Sequence, residues 1–198
     1  MMKFQLKPLT LALLAAAIGT GAFAQTAPLA PKPATPATER ANAAVRAAMA
    51  MNDKQDFDDA TRGKLAELSD PVVKDANGRT VFDTRRYDFI KGGAPATVNP
   101  SLWREQALNA QAGFYKVADG IYQIRGYDMA NMTLVETPNG WIVIDTLFTA
   151  EMARAGLKLA MDTLKSTKPV VAVIYTHSHV DHFGGVRGVV DEADVRSG

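Results

Sequence analysis

A short segment near the C-terminal end of the chain combines imidazole, carboxylate and glycine residues directly after an apolar run. These residues are His177, His179, Asp181, His182, Gly184 and Gly185. In an extended segment residues i and i+2 point to the same side, so the first two histidines can present their imidazoles to one metal ion. If the chain then turns into a helix, Asp181 and His182 can reach a second ion, and the two glycines would ease such a turn. Imidazole and carboxylate ligands without thiolates suit zinc, and also manganese or iron.

Two other interpretations of this segment carry less weight. A histidine-rich surface turn with no ligand is possible for a single histidine, but the three histidines of the chain all occur here. A serine hydrolase built on Ser178 is disfavoured, because there is no G-x-S-x-G sequence and adjacent residues are poorly placed for contact between a nucleophile and its base. The spacing therefore favours a metal site.

Asp145 ends another apolar run, Trp141–Ile144. It is either an ordinary cap or turn residue, or a carboxylate that orients the histidines from a neighbouring strand end. In layered α/β proteins, ligands bind at the carboxyl ends of strands, which favours the second role without excluding the first.

The second half of the chain contains the elements that would position these residues. Strand patterns at 115–117 and 121–124, and at 133–136 and 141–144, predict two hairpins. A helix follows with Thr149 as its N-cap and Met152, Leu159 and Leu164 facing inward, and the apolar run 170–175 predicts a strand buried on both faces. This order predicts an α/β domain with a sheet covered by helices.

The first half of the chain is predicted to be a helical layer without chemistry of its own. Helices are expected at 38–51, which is rich in alanine, and at 57–68, with Asp56 as N-cap. Asn99 followed by Pro100 predicts the start of a further helix over 101–110.

The N-terminus and the composition limit the possible functions. Residues 1–24 have basic residues, a short apolar run and an Ala-Phe-Ala end, which predicts a cleaved secretory signal and a periplasmic or secreted protein without a stable membrane span. Residues 25–37 form a linker rich in proline and alanine. The net charge of +1 argues against a nucleic-acid partner, and the absence of cysteine excludes disulfides and thiolate ligands within the sequence given.

Five segments together resemble a known family. The histidine segment with Asp145 resembles the metallo-β-lactamase superfamily, and the longer matches are similar to its alkyl sulfatase branch: residues 56–63, 98–104, 125–133, 140–145 and 175–188. The resemblance implies the N-terminal part of a metallo-β-lactamase-like αββα sandwich over 113–198, preceded by a helical extension over 38–112.

The resemblance also implies an activity and a set of ligands. Alkyl sulfatases use two zinc ions to hydrolyse sulfate esters of long-chain alcohols such as dodecyl sulfate. His177 and His179 would hold one Zn²⁺ and Asp181 and His182 the other, with Asp181 as the candidate catalytic residue beside a metal-activated water. The remaining ligands are expected downstream of Gly198, so the fragment alone is expected to be inactive. The longer enzyme is expected to be a homodimer.

Alternatives from the same residues remain open. The motif also serves a periplasmic metallo-β-lactamase, which the long segment before residue 110 disfavours, and a non-catalytic metal-binding or interaction module is a third possibility. Tyr127, Met129 and Met132 are candidates for an apolar lip that contacts an alkyl chain, although ordinary core or edge packing is the more common role of such residues.

Overall fold

The computed structural model of the protein describes residues 30–197, and Ala34–Gly198 form one compact unit. The predicted signal at 1–24 and residues 25–29 of the predicted linker therefore lie outside the described residues. Within the described part of the chain, no helix combines the length and hydropathy that crossing a bilayer would require.

The helices are α1 (Pro36–Ala48), α2 (Gln55–Thr61), α3 (Pro100–Asn109), α4 (Ala150–Leu164), α5 (Val180–Phe183) and α6 (Glu192–Ser197). The strands are β1 (Lys64–Ala66), β2 (Val72–Lys74), β3 (Thr80–Asp83), β4 (Gly113–Ala118), β5 (Ile121–Arg125), β6 (Met132–Glu136), β7 (Trp141–Ile144) and β8 (Val170–Ile174).

Six strands form the main sheet in the order β1-β4-β5-β6-β7-β8. Both predicted hairpins, β4–β5 and β6–β7, are confirmed as antiparallel pairs. β8 pairs in parallel with β7, which is the geometry expected when a helix connects two neighbouring strands. The short β2–β3 hairpin forms a separate sheet whose apolar residues pack against the main core. The α/β class predicted from the sequence is confirmed.

Helix α4 connects β7 to β8 and packs against the sheet. Its predicted N-cap is confirmed, because the Thr149 hydroxyl accepts a hydrogen bond from the Met152 N–H at 3.3 Å. Gly156 sits where the helix crosses the sheet, and a Cβ there would lie only 3.1 Å from Ile124 and 3.2 Å from Met132. The glycine thus gives up helix propensity to allow a close approach between helix and sheet.

The prediction for residues 57–68 is partly wrong. Helix α2 begins at Gln55 with Lys54, not Asp56, as its N-cap, and it ends at Thr61. Gly63 explains the early end, because it adopts φ +76° and a Cβ there would lie 2.2 Å from the Lys116 carbonyl oxygen. The chain then forms β1 against β4, so residues 38–112 contain strands as well as helices.

The other two helices of the first half agree better with the sequence. α1 begins two residues before the predicted start, at Pro36 after the N-cap Thr35, and ends at Ala48. α3 begins as predicted, with the Asn99 side chain accepting a hydrogen bond from the Ser101 N–H at 2.9 Å.

Strand β8 is more exposed than its apolar sequence predicts. Val171 and Ile174 are 50% and 49% exposed. β8 is the last strand of the sheet in the described residues and pairs only with β7. Burial on both faces requires a layer on each face, and these residues supply no complete second layer.

Candidate metal centre

The predicted metal ligands lie at the carboxyl ends of two adjacent parallel strands. The segment 176–185, here called the histidine turn, follows β8 and contains the single-turn helix α5. The neighbouring strand β7 ends at Ile144. The next residue, Asp145, donates its backbone N–H to the carbonyl of Ile174 in β8 at 2.9 Å. This is the edge at which α/β sheets place their ligands.

The histidine turn packs unusually tightly on the loop between β7 and α4, residues 145–149. The Gly185 N–H donates to the Leu147 carbonyl at 2.9 Å, and a Cβ on Gly185 would lie 1.9 Å from the Thr146 carbonyl oxygen. A Cβ on Gly184 would lie 2.3 Å from the Phe148 carbonyl oxygen. Neither glycine has a positive φ, so close backbone approach rather than conformational freedom requires glycine here.

Asp145 holds two parts of the histidine turn at once. It is 6% exposed, and one carboxylate oxygen accepts the Thr176 N–H at 2.8 Å. The other oxygen lies 2.8 Å from the Thr176 hydroxyl and 2.7 Å from His182 Nδ1. Thr149, not Asp145, caps the following helix, so the capping role left open by the sequence does not apply.

These contacts determine the charges of the pair. Burial by itself raises the pKa of Asp145, but hydrogen bonds from Thr176 and His182 outweigh burial and hold that pKa below its usual value. The hydrogen bond to the Asp145 carboxylate likewise raises the pKa of His182 above its usual value. Nδ1 of His182 donates a hydrogen bond to Asp145. The second ring nitrogen, Nε2, takes no part in this bond and points away from Asp145.

The remaining predicted ligands lie near the His182 ring or near one another. His182 Nε2 lies 3.2 Å from Oδ2 of Asp181. The ring of His177 lies 4.6 Å from that of His179 and 4.0 Å from that of His182, measured between centroids. The four predicted ligands are therefore close together in pairs: His177 with His179, His177 with His182, and His182 with Asp181.

The ligand types in this site suit zinc, but the number of ligands available to any one ion is too small. A histidine whose second nitrogen is bonded to a carboxylate is a common feature of metal sites. Yet in residues 30–197 no group of three or more histidine, aspartate or glutamate side chains is arranged to hold one ion. Catalytic zinc generally takes three protein ligands, so this part of the chain would provide an incomplete coordination shell.

One further acidic residue at this edge, Asp128, lies in the matching segment 125–133, but the sequence assigned it no role. It lies in the loop between β5 and β6, and its carboxylate accepts the Phe148 N–H at 2.7 Å and the Met129 N–H at 2.6 Å. Burial raises the pKa of Asp128 despite these two hydrogen bonds, and the nearby Asp181 adds to the rise. A single aspartate in a loop has no spacing pattern, which is why the sequence did not reveal it.

In the described residues, two of the three candidates for the apolar lip are buried and one is exposed. Tyr127 is 2% exposed and Met132 is fully buried, and both belong to the core. The Tyr127 hydroxyl accepts the Leu68 N–H at 2.7 Å, which gives it a structural role. Only Met129 is exposed, at 79%, and it borders a cavity of about 330 Å³ together with Asp128.

Known proteins resemble the chain in sequence and in fold. Residues 125–198 match the metallo-beta-lactamase superfamily. The chain is 50% identical over 191 residues to a linear primary-alkylsulfatase of Pseudomonas sp., covering 94% of this chain and 28% of that protein. It is 48% identical over 168 residues to an alkyl/aryl-sulfatase of Saccharomyces cerevisiae, covering 84% of this chain and 26% of the relative.

A solved structure agrees with these relatives. The stereoselective inverting sec-alkylsulfatase Pisa1 from Pseudomonas sp. superposes with a TM-score of 0.76 at 47% identity, over 84% of this chain and 26% of that one. The chain thus spans about a quarter of the length of the relatives that it matches. Residues 125–198 thus match the metallo-beta-lactamase superfamily, and the chain is similar to the N-terminal part of the alkylsulfatases named above.

Proposed function

We propose that the complete protein is a zinc-dependent alkyl sulfatase that hydrolyses long-chain alkyl sulfate esters to alcohol and sulfate. The observation that carries the proposal is the histidine turn itself, in which four candidate ligands lie close together and Asp145 is bonded to His182. The similarity to alkylsulfatases supports this choice of substrate over the β-lactam of other superfamily members.

The residues of the chain have distinct roles in this proposal. His177 and His179 would hold one zinc ion, and Asp181 and His182 would hold a second. Bound zinc would lower the pKa of water to about 7 and would offset the negative charge of the sulfate. Asp145 keeps Nδ1 of His182 protonated, so that Nε2 is free to bind metal. Thr176 fixes the start of the turn through its N–H and hydroxyl.

The first test is activity of the complete protein on dodecyl sulfate, compared with activity on a carbapenem. We expect sulfate release, loss of that release after removal of metal with a chelator, and its return when zinc is added. Carbapenem hydrolysis without sulfate release would contradict the proposal and favour a β-lactamase. Zinc binding without either activity would favour a non-catalytic metal-binding module.

A second arm of this test uses residues 1–198 alone. We propose that this polypeptide binds zinc weakly and releases no measurable sulfate, because it offers two ligands per ion in the proposed arrangement. Isothermal titration with zinc, followed by the dodecyl sulfate assay, checks this. Tight binding with turnover would show that the ligands after residue 198 are not needed.

We further propose that the protein is exported to the periplasm or secreted, with cleavage after Ala24, and that the complete enzyme is a homodimer. The basic start and the Ala-Phe-Ala sequence of residues 1–24 support export. N-terminal sequencing of the exported protein checks the cleavage, and a retained Met1 would contradict it.

A further inference from the structure

We propose that Asp128 is a positioning residue for the zinc site formed by Asp181 and His182, and that it acts through the loop 145–149. This inference depends on the proposed function for its metal, but not on the identity of the substrate. Asp128 lies twenty residues before the loop that it contacts, on a different connection of the sheet.

Both oxygens of the Asp128 carboxylate are already occupied by backbone donors. Oδ1 accepts the Met129 N–H at 2.6 Å, and Oδ2 accepts the Phe148 N–H at 2.7 Å. Hydrogen bonds to a charged acceptor are about twice as strong as those between neutral groups. The carboxylate is therefore committed to fixing backbone positions, and the bond to Phe148 connects two separate loops.

The loop held by Asp128 is the one against which the histidine turn packs. The Thr146 N–H donates to the carbonyl of His182 at 2.8 Å, and the Leu147 carbonyl accepts the Gly185 N–H at 2.9 Å. Gly184 packs against the Phe148 carbonyl with no space for a Cβ. A displacement of Phe148 would therefore be transmitted directly to the backbone of the histidine turn.

This loop needs an external support because its backbone is strained. Asp145 and Leu147 have φ of 59° and 61°, in the left-handed region that residues with a side chain rarely adopt. Such conformations persist only where surrounding contacts fix them. Thr176 and His182 supply those contacts at Asp145, and Asp128 supplies one at the other end of the loop, at Phe148.

The residues directly before Asp128 are held in place by contacts of their own. The preceding residue, Tyr127, is buried in the core, and its hydroxyl accepts the Leu68 N–H at 2.7 Å. Gly126 has φ +73°, and a Cβ there would lie 2.7 Å from the Cα of Ala112. The connection between β5 and β6 is thus anchored on one side, so that Asp128 can hold the 145–149 loop on the other.

The test compares Asp128→Asn with the unmodified complete protein and with Asp162→Asn. Asparagine has an amide nitrogen in place of one carboxylate oxygen, and that nitrogen cannot accept a hydrogen bond. The variant therefore loses the charge and one of the two oxygens that now accept the Met129 and Phe148 N–H groups. Asp162 is an exposed aspartate on α4 that pairs with Lys158, so it is a matched control outside the site. Zinc content, the affinity for the second zinc, kcat and KM for dodecyl sulfate, and hydrogen exchange of the Phe148 amide are measured.

For Asp128→Asn we expect about tenfold weaker binding of the second zinc, since changes behind metal ligands generally cost ten- to a hundredfold. We expect kcat to fall by a similar factor with KM within about twofold, and the Phe148 amide to exchange faster in the metal-free protein. Asp128→Glu retains the charge but shifts it by one methylene, so it should give a smaller loss of zinc affinity and of kcat. This variant replaces Asp128→Asn in the test if Asp128→Asn does not fold. Asp162→Asn should match the unmodified protein.

Two results would overturn the inference. One is faster exchange at Phe148 with zinc affinity and kcat unchanged, because the bond would then be irrelevant to the metal site. The other is loss of zinc without any change at Phe148, because Asp128 would then act directly on the metal. If the unmodified protein binds zinc but releases no sulfate, the proposed function fails, while zinc affinity and exchange still decide the role of Asp128.

Discussion

At the scale of single residues, Asp145 is the centre of the candidate site. It accepts hydrogen bonds from the backbone and hydroxyl of Thr176 and from the ring of His182, and it does so from a left-handed backbone conformation. A carboxylate buried in this way is expensive unless each of its oxygens has donors. Here the donors are parts of the histidine turn, so satisfying the buried charge also fixes the ligands.

Asp145→Asn in the complete protein should therefore weaken both the metal site and the fold. We expect about ten- to a hundredfold lower affinity for the zinc held by Asp181 and His182, because His182 loses its carboxylate partner. The free energy of unfolding of the metal-free protein should fall by about 1–3 kcal/mol. Zinc titration and urea unfolding measure the two effects, and an unchanged zinc affinity would contradict the role given to Asp145.

At this scale the sequence indicates candidate ligands where residue type and spacing coincide. The close succession of His177, His179, Asp181 and His182 has few explanations other than metal binding, and the structure brings their side chains together. Asp128 could not be found in this way, because its partner is a backbone N–H twenty residues away that depends on the packing of two loops.

At the scale of elements, the histidine turn depends on a close contact between two backbones. Gly185 donates to the Leu147 carbonyl and passes so near the Thr146 carbonyl that a Cβ would lie 1.9 Å from it. Contact with a backbone oxygen cannot be relieved by rotating a side chain, so the loop or the turn would have to move.

Gly185→Ala should consequently destabilise the protein by about 1–3 kcal/mol or more, the range typical of overpacking. The matched control is Gly93→Ala, since Gly93 has no positive φ and nothing within 4 Å of an added Cβ. Urea unfolding of the two variants gives the comparison. Equal stability of both would mean that the turn and the 145–149 loop are not closely packed.

Local patterns predicted most elements but failed where distant contacts decide. The caps Asn99 and Thr149 and the turn at 139–140 depend on neighbouring residues alone, so their elements appear as predicted. Helix α2 instead ends early, because Gly63 approaches Lys116 across the sheet. The burial of β8 was overestimated, because an apolar run does not reveal which layers cover it.

At the scale of the whole molecule, the outer edge of β8 is an unpaired, apolar strand edge. In the described residues β8 pairs with β7 alone, and Val171, Ile174 and Tyr175 are each about half exposed. Exposed edges of this kind tend to pair with other chains.

We therefore expect the polypeptide of residues 1–198 to self-associate as its concentration rises, and Val171→Lys to reduce that association. A lysine keeps an apolar stem against the sheet and adds a charge that opposes edge-to-edge pairing. Val195→Lys is the control, because Val195 is 67% exposed on α6, outside the sheet. Analytical ultracentrifugation measures the association, and equal association of both variants would exclude the β8 edge as its cause.

The contacts that shape the histidine turn have a consequence for biosynthesis. The hydrogen bonds of the turn to Asp145, Thr146 and Leu147 join residues fewer than fifty positions apart in sequence. The bond between Phe148 and Asp128 extends this set only to the connection between β5 and β6. Domains fold as the ribosome delivers them, starting from the N-terminal side. The contacts that arrange the imidazoles therefore all lie within residues 128–185, so the histidine turn can form wherever this segment is free to fold, without contacts from later residues.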